Sequence, residues 1–271
     1  MVLSKLKLEV DNMQVVILAG GYGTRISEES HDKPKPMIEI GGRPILWHIM
    51  KMYSFYGFND FIICCGYKGD VIKDYFREYT LNNSDFQIDI KSGTATIINT
   101  PKEDWNVKLI DTGIDTMTGG RLKRIENYLE QNDFHMTYGD GLSDINLHDL
   151  VKHHKKKKVQ ASVTAIKLPG PGRFGTLEIN NKNMVQTFDE KRIEDRGRIS
   201  GGFFILKKSV LDLIDSDETV WEAEPLSQLA SSGELSAFEH NGFWHPMDSL
   251  RDKNYLSELW VSNKAPWRSW G

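Results

Sequence analysis

Three glycines, a threonine and an arginine follow one short apolar run: Val15-Val16-Ile17-Leu18-Ala19-Gly20-Gly21-Tyr22-Gly23-Thr24-Arg25. Glycines at a strand end let a ligand approach the backbone closely, and successive N–H groups there form an anion-binding concavity. Thr24 adds a hydroxyl, and Arg25 adds a rigid fork of donors suited to phosphate oxygens. The chemistry this loop invites is therefore on a phosphate chain. Two familiar glycine loops do not fit. A Walker A loop ends Gly-Lys-Ser/Thr, whereas this one ends Gly23-Thr24-Arg25, and a dinucleotide fingerprint needs glycine where Ile26 stands. Further on, Lys33-Pro34-Lys35-Pro36-Met37 holds Lys35 in a stiff tract, because each proline fixes its own φ and restricts the residue before it. Two carboxylates stand out. Asp140 lies between Gly139 and Gly141 after the apolar run Phe134–Tyr138, and Asp248 follows Trp244-His245-Pro246-Met247. A carboxylate at the C-terminal end of a strand lies where open α/β sheets place their ligands. Each aspartate could instead cap the helix that follows it.

Residues Val15–Leu18 have the character of a strand buried on both faces. Pro44 and the periodic Ile45, Ile49, Met52 and Tyr53 predict a helix reaching about Phe55. A second strand over Phe61–Cys65 precedes a helix near 70–79. A third over Val107–Asp111 leads through Thr116–Arg121 to a helix with Leu122, Ile125, Tyr128 and Leu129 on one stripe. Another strand at Phe134–Tyr138 and a helix from Asn146 to Lys158 follow. The lysine run Lys155–Lys158 is a solvated helix end that complements the macrodipole. This alternation predicts a doubly wound α/β sheet. After residue 159 strands dominate, at 161–166, 176–179, 185–191 and 200–206, before short helices at 209–214 and 221–229 and a terminal helix over 249–261. Residues 80–105 carry a weak signal, with Phe86–Ile90 alternating, and fit a lid or a subunit-contact loop. Trp260, Trp267 and Trp270 are expected to be exposed anchors for subunit contacts.

The 271-residue chain has a formal net charge of −4. Bulk attraction to nucleic acid or to an acidic membrane is not expected, so a polyanionic substrate must be held by local cations. No apolar run is long enough to span a bilayer. Residues 1–12 lack the apolar core and cleavage site of a signal peptide and are expected to be an extension. Cys64 and Cys65 are neighbours on a strand and point to opposite faces, so they are poor disulfide partners. They fit small buried hydrophobes in a reducing compartment, the cytoplasm.

The pattern Leu18–Arg25 followed by Lys33-Pro34-Lys35-Pro36-Met37 resembles the sugar-phosphate nucleotidyltransferases. The resemblance implies that a sugar 1-phosphate oxygen attacks the α-phosphorus of a nucleoside triphosphate and pyrophosphate leaves. The attacking group is already anionic, so the work is positioning and charge neutralisation. It implies a Rossmann-like doubly wound mixed sheet of the nucleotide-diphospho-sugar transferase type, with a small sugar-binding β lobe. Residues 13–158 would be mainly nucleotide-binding, 159–248 mainly sugar-binding, and 249–271 a helix and tail. By the same resemblance Leu18, Ala19, Gly20, Gly21, Tyr22, Gly23, Thr24 and Arg25 hold the nucleotide, with Arg25 on the leaving pyrophosphate. Lys35 bridges the α-phosphate and the sugar phosphate, which makes Arg25 and Lys35 the catalytic pair, and Asp140 and Asp248 hold Mg²⁺. Gly172-Arg173-Phe174-Gly175 matches a hairpin lining the sugar pocket. Glu190 would take sugar hydroxyls and Lys191 the sugar phosphate, with Gly201 nearby, although Arg192 stands where many relatives have proline.

The stretches Met117–Arg124, Tyr138–Gly141 and Phe243–Lys253 resemble those family members that use CTP and glucose 1-phosphate. Their product is CDP-glucose, drawn into the dideoxyhexoses of bacterial surface polysaccharide. Thr116, Gly120, Arg121 and Gly139 then join the CTP site. Cytosine presents two acceptors beside an amino donor, an edge that Arg121 with backbone groups of Gly119 and Gly120 could read. A homo-oligomer, such as a hexamer, is also implied. Two other readings are the same transfer with another base or hexose, and a catalytically silent nucleotide-sugar-sensing subunit. Retention of Lys35, Asp140 and Asp248 together argues against the second.

Overall fold

The computed structural model describes residues 13–26, 29, 31–167, 176–189 and 198–271. The elements are, in order, β1 (Val15–Leu18), β2 (Glu39–Ile40), β3 (Arg43–Pro44), α1 (Ile45–Phe55), β4 (Asp60–Cys65), α2 (Gly69–Asn82), β5 (Phe86–Asp89), β6 (Thr94–Ile97), β7 (Asn106–Asp111), α3 (Thr118–Arg124), β8 (Asp133–Tyr138), β9 (Gly141–Ser143) and α4 (Leu147–Lys157). There follow β10 (Ala161–Ile166), β11 (Thr176–Ile179), β12 (Val185–Asp189), β13 (Arg198–Lys207), α5 (Glu224–Ser231), β14 (Leu235–His240), β15 (Trp244–Pro246) and α6 (Leu250–Val261).

β1 lies at the centre of the parallel part of the sheet. It pairs with β4 on one side and β8 on the other, so that Val15 stands opposite both Phe61 and His135. β7 continues the parallel set beyond β4. β13 then joins β8 antiparallel and carries β10 and β11, with β14 beyond β10 and β12 beyond β11. Strands β10 to β14 thus extend the same nine-stranded sheet, while β15 pairs with β9 in a separate two-stranded one.

Side chains alternate between its faces. Val15, Ile17, Phe61, Ile63 and Cys65 meet the apolar sides of α1, α4 and α6 in one core. Val16, Leu18, Ile62 and Cys64 meet those of α3 and α5 in the other. Helices on both faces explain why these strands are apolar at every position rather than at alternate ones. Cys64 and Cys65 are both buried and unbridged, on opposite faces. Burial pushes the Cys65 thiol up to about 11 and Cys64 higher still.

Three expectations are corrected. The aromatic tail is not an exposed anchor. Trp267 is fully buried, its ring stacked on Phe243 (centroids 5.6 Å apart) and Trp260 (6.5 Å), while Trp47 of α1 meets Trp260 and Trp270 edge-on. The chain after α6 turns back and seals the outer side of α1, because that buries aromatic area within one subunit. α3 begins earlier than the stripe indicated and ends at Arg124. A 3₁₀ turn over Glu126–Tyr128 then carries Tyr128 out to solvent. The expected helix at 209–214 is a 3₁₀ segment, Lys208–Leu213. The alternating stretch at 86–90 becomes one arm of the β5–β6 hairpin, whose residues are all exposed.

Candidate active site

The C-terminal ends of β1 and β8 open onto a cavity of about 550 Å³, a volume within the range of small-molecule sites. Its first wall is the loop after β1. Each glycine there has a separate reason. Gly23 adopts φ +65° and starts the 3₁₀ turn Thr24–Ile26, closed by Ile26 N–H donating to Gly23 O (3.2 Å). A Cβ on Gly20 would lie 2.2 Å from Arg121 Nη1, whereas Gly21 has no atom within 4 Å of that position. Gly20 thus lets a cation pack beneath the loop, and Gly21 leaves backbone open to a ligand.

That cation is bonded mostly to backbone carbonyls. Arg121 is 4% exposed. Its Nη1 donates to Thr112 Oγ1 (2.8 Å) and Gly113 O (2.6 Å), and its Nη2 donates to Gly20 O and Ile114 O (3.0 Å each). Burial pulls its pKa below the ordinary arginine value, and a guanidinium stays charged at neutral pH all the same. The Gly119 and Gly120 amides expected beside it both donate to Thr219 O (2.9 and 3.3 Å). Arg121 therefore ties the glycine loop to the segment after β7 and shapes the cavity from below.

The second wall carries the charges. Pro34 and Pro36 frame a 3₁₀ turn over Lys35–Met37 that aims Lys35 inward. Its Nζ donates to Asp140 Oδ2 (2.6 Å) and to Asp248 Oδ1 (2.7 Å). The three side chains are 12%, 31% and 15% exposed. The two aspartates, distant in sequence, are joined by the β9–β15 pairing, in which Pro246 stands opposite Gly141 and Met247 N–H donates to Asp140 O (2.8 Å). Burial disfavours the Lys35 ammonium, but the two carboxylates outweigh it and hold its pKa above that of an ordinary lysine. Neither aspartate caps a helix. Ser249 caps α6 in a capping box with Asp252, and Asn146 caps α4.

Of the anticipated residues, Leu18, Ala19, Gly20, Gly21, Tyr22, Gly23, Thr24, Lys35, Thr116, Arg121, Gly139, Asp140 and Asp248 line this one cavity. Gly120 and Gly201 do not. Gly120 packs against Asp217, and Gly201 sits in β13 with its carbonyl accepting from Trp244 Nε1 (2.7 Å). The Arg25 side chain, Gly175, Glu190 and Lys191 lie outside the described residues. Two features were missed from sequence. Tyr22 OH donates to Asp115 Oδ1 (2.5 Å) across the mouth. Glu222 accepts from Thr118 Oγ1 (2.5 Å) and from the Tyr138 hydroxyl, joining α3 to the end of β8. No local motif marks Glu222; its role follows from the loop over 216–222 folding onto the N-terminus of α3.

The arrangement suits a hard divalent cation. Two carboxylates converge on one cationic point, and the donors are all oxygen, as Mg²⁺ prefers. Among the described residues no cluster of three or more acidic, histidine or cysteine side chains is placed to hold a metal. Two protein oxygens would leave the remaining positions to water and phosphate, the usual habit of Mg²⁺ at nucleotide sites.

A model of the family described as nucleotidyl transferase matches residues 14–245. Over 259 residues, 95% of this chain and all of the relative, it is 55% identical to a glucose-1-phosphate cytidylyltransferase of Salmonella typhimurium. Over the same length it is 42% identical to a probable glucose-1-phosphate cytidylyltransferase of Bacillus subtilis. In fold it is similar to the crystal structure of HddC from Yersinia pseudotuberculosis, with a TM-score of 0.74 at 24% identity, covering 92% of this chain and 99% of that one.

Proposed function

Because the chain belongs to the nucleotidyl transferase family, we propose that it transfers a cytidylyl group from CTP to α-D-glucose 1-phosphate. The products are CDP-glucose and pyrophosphate. The observation that carries this is the meeting of Lys35, Asp140 and Asp248 beside the Gly20–Thr24 loop, in a chain 55% identical over nearly its whole length to an enzyme of that name.

The glycine loop receives the triphosphate on its open backbone, with Thr24 and Arg25 as donors to phosphate oxygens. Lys35 faces the α-phosphate and the incoming sugar phosphate, where negative charge accumulates as the bond forms. Tyr138 and Gly139 set the far wall, and Arg121 holds the carbonyls beneath the base. Asp140 and Asp248 would hold Mg²⁺, which when bound neutralises phosphate charge and orients the reacting groups. Glu190 and Lys191 are assigned to the sugar and its phosphate. Since a sugar phosphate needs no base to activate it, the protein's task is to align it in line with the leaving pyrophosphate.

We also assign the protein to the cytoplasm, where it would supply CDP-glucose for surface-polysaccharide dideoxyhexoses. Its free, buried cysteines accord with a reducing compartment, and among the described residues no helix is long and apolar enough to cross a membrane. A homo-oligomer such as a hexamer is supported by the β5–β6 hairpin and its flanks, which expose Phe86, Ile88, Ile90, Ile97 and Ile98. Sedimentation as a monomer at micromolar concentration would refute it. For the activity itself, four nucleoside triphosphates assayed against several sugar 1-phosphates by pyrophosphate release should show CTP and glucose 1-phosphate dominant. Equal use of UTP would overturn the cytidylyl reading, and no release with any pair would leave a sensing subunit.

A further inference from the structure

We propose that Lys35 is the resident cation of the Asp140–Asp248 pair, holding both carboxylates in place until a divalent cation arrives with the nucleotide and displaces it. The inference rests on the reading above that this pair is the metal site.

The geometry permits one cation at a time. Lys35 Nζ lies 2.6 Å from one Asp140 oxygen and 2.7 Å from one Asp248 oxygen, so it occupies the point on which both carboxylates converge. Mg²⁺ needs its oxygens at about 2.0–2.1 Å, which leaves no room for an ammonium between the same two groups. Charge leads to the same conclusion. Without Lys35, the Asp140 and Asp248 carboxylates, 31% and 15% exposed, would lose the cation they share. With Lys35 retained and a divalent cation added, three positive charges would meet two negative ones there.

The exchange needs only a side-chain movement. The Lys35 backbone is fixed by its proline-framed turn, but its four-carbon stem is flexible. Lys35 and the glycine loop line the same cavity, so an ammonium leaving the carboxylates turns toward the triphosphate. Nucleotide therefore helps twice, by bringing the metal with it and by giving the displaced ammonium a new anionic partner. The nucleotide-free protein should accordingly hold a divalent cation weakly, and metal and nucleotide should bind as a unit.

The test uses Mn²⁺ alone as the probe on the full chain without nucleotide, followed by isothermal titration and by the electron-paramagnetic signal of free Mn²⁺. Lys35→Met, and Lys35→Gln as a second uncharged variant, should bind Mn²⁺ about tenfold or more tighter than wild type. Lys35→Met combined with Asp140→Asn should lose that gain. Equal Mn²⁺ affinity in wild type and both folded single variants would overturn the exchange. If Lys35→Met binds tightly and Asp140→Asn leaves that binding unchanged, the metal site lies elsewhere and the underlying assignment falls instead.

Discussion

Acid should unfold this protein well above the pH at which its carboxylates protonate, because three buried imidazoles and one half-buried one are held in neutral form. Burial is the leading cause in each case: it pushes His48, His153 and His154 down to about 4 and His135 down to about 3. In the unfolded chain each titrates near the ordinary value of about 6.5. Below that pH the unfolded state binds more protons than the folded one, so stability falls as pH falls through 6.5. The loss continues until the folded values near 4 are reached. From pH 7.5 to pH 5 this amounts to about 2 kcal/mol for each of the buried His48, His135 and His154, on the order of 6 kcal/mol together, with a smaller, solvent-screened share from His153. That rivals the whole stability of an ordinary domain.

His135 isolates one contribution. It is fully buried, its ring 4.3 Å from that of Phe58 and 5.2 Å from that of Tyr53, and neither ring nitrogen has a hydrogen-bond partner among the described residues. Replacing an unsatisfied polar group by an apolar one of similar size is close to neutral or stabilising, so His135→Leu should fold. Urea unfolding of wild type and His135→Leu at pH 7.5, 6.5, 5.5 and 5.0 should show the variant losing about 2 kcal/mol less across the range. Identical pH dependence in the two proteins would refute the reasoning.

Lys35→Ala should keep its fold and lose about 10²–10³ in kcat, the scale of removing one preorganised charge donor; near-normal turnover in a folded variant would remove Lys35 from the chemistry. Ser249→Ala breaks the capping box before α6 and should cost about 1 kcal/mol. Because Asp248 adjoins that cap, it should also raise the Mg²⁺ concentration needed for half-maximal rate, read by titrating metal at saturating CTP. CTP should exceed UTP by roughly a hundredfold in kcat/KM, since the two bases differ in hydrogen-bond polarity at two positions, each mismatch costing about 1–3 kcal/mol. Arg121→Ala should erode that preference and lower the urea midpoint as well, because it strands the buried carbonyl of Gly20 and takes a donor from those of Gly113 and Ile114.

Much of this protein could be foreseen from local pattern. Continuous apolar runs such as Val15–Leu18 and Phe61–Cys65 carry their own signal for strands buried on both faces, and the Pro44 start of α1 is written in backbone stereochemistry. The glycine loop and the proline-framed Lys35 are likewise short-range features, in which a few neighbouring residues dictate the backbone. What local pattern could not carry was anything requiring two distant segments to meet. Whether Asp248 served as a helix cap or a site carboxylate depended on Ser249 taking the cap and on β15 pairing with β9. Nothing near Arg121 in the sequence showed that the fold would place five oxygens around its guanidinium. Trp267 looked like an interface anchor until the tail closed over α1. Glu222 carried no motif at all, because its meaning lies in two hydroxyls brought to it from other elements. Residue type and spacing set which groups can donate, accept or carry charge. Which partner each one meets is settled by long-range packing, and that packing follows from burying both faces of one sheet at once.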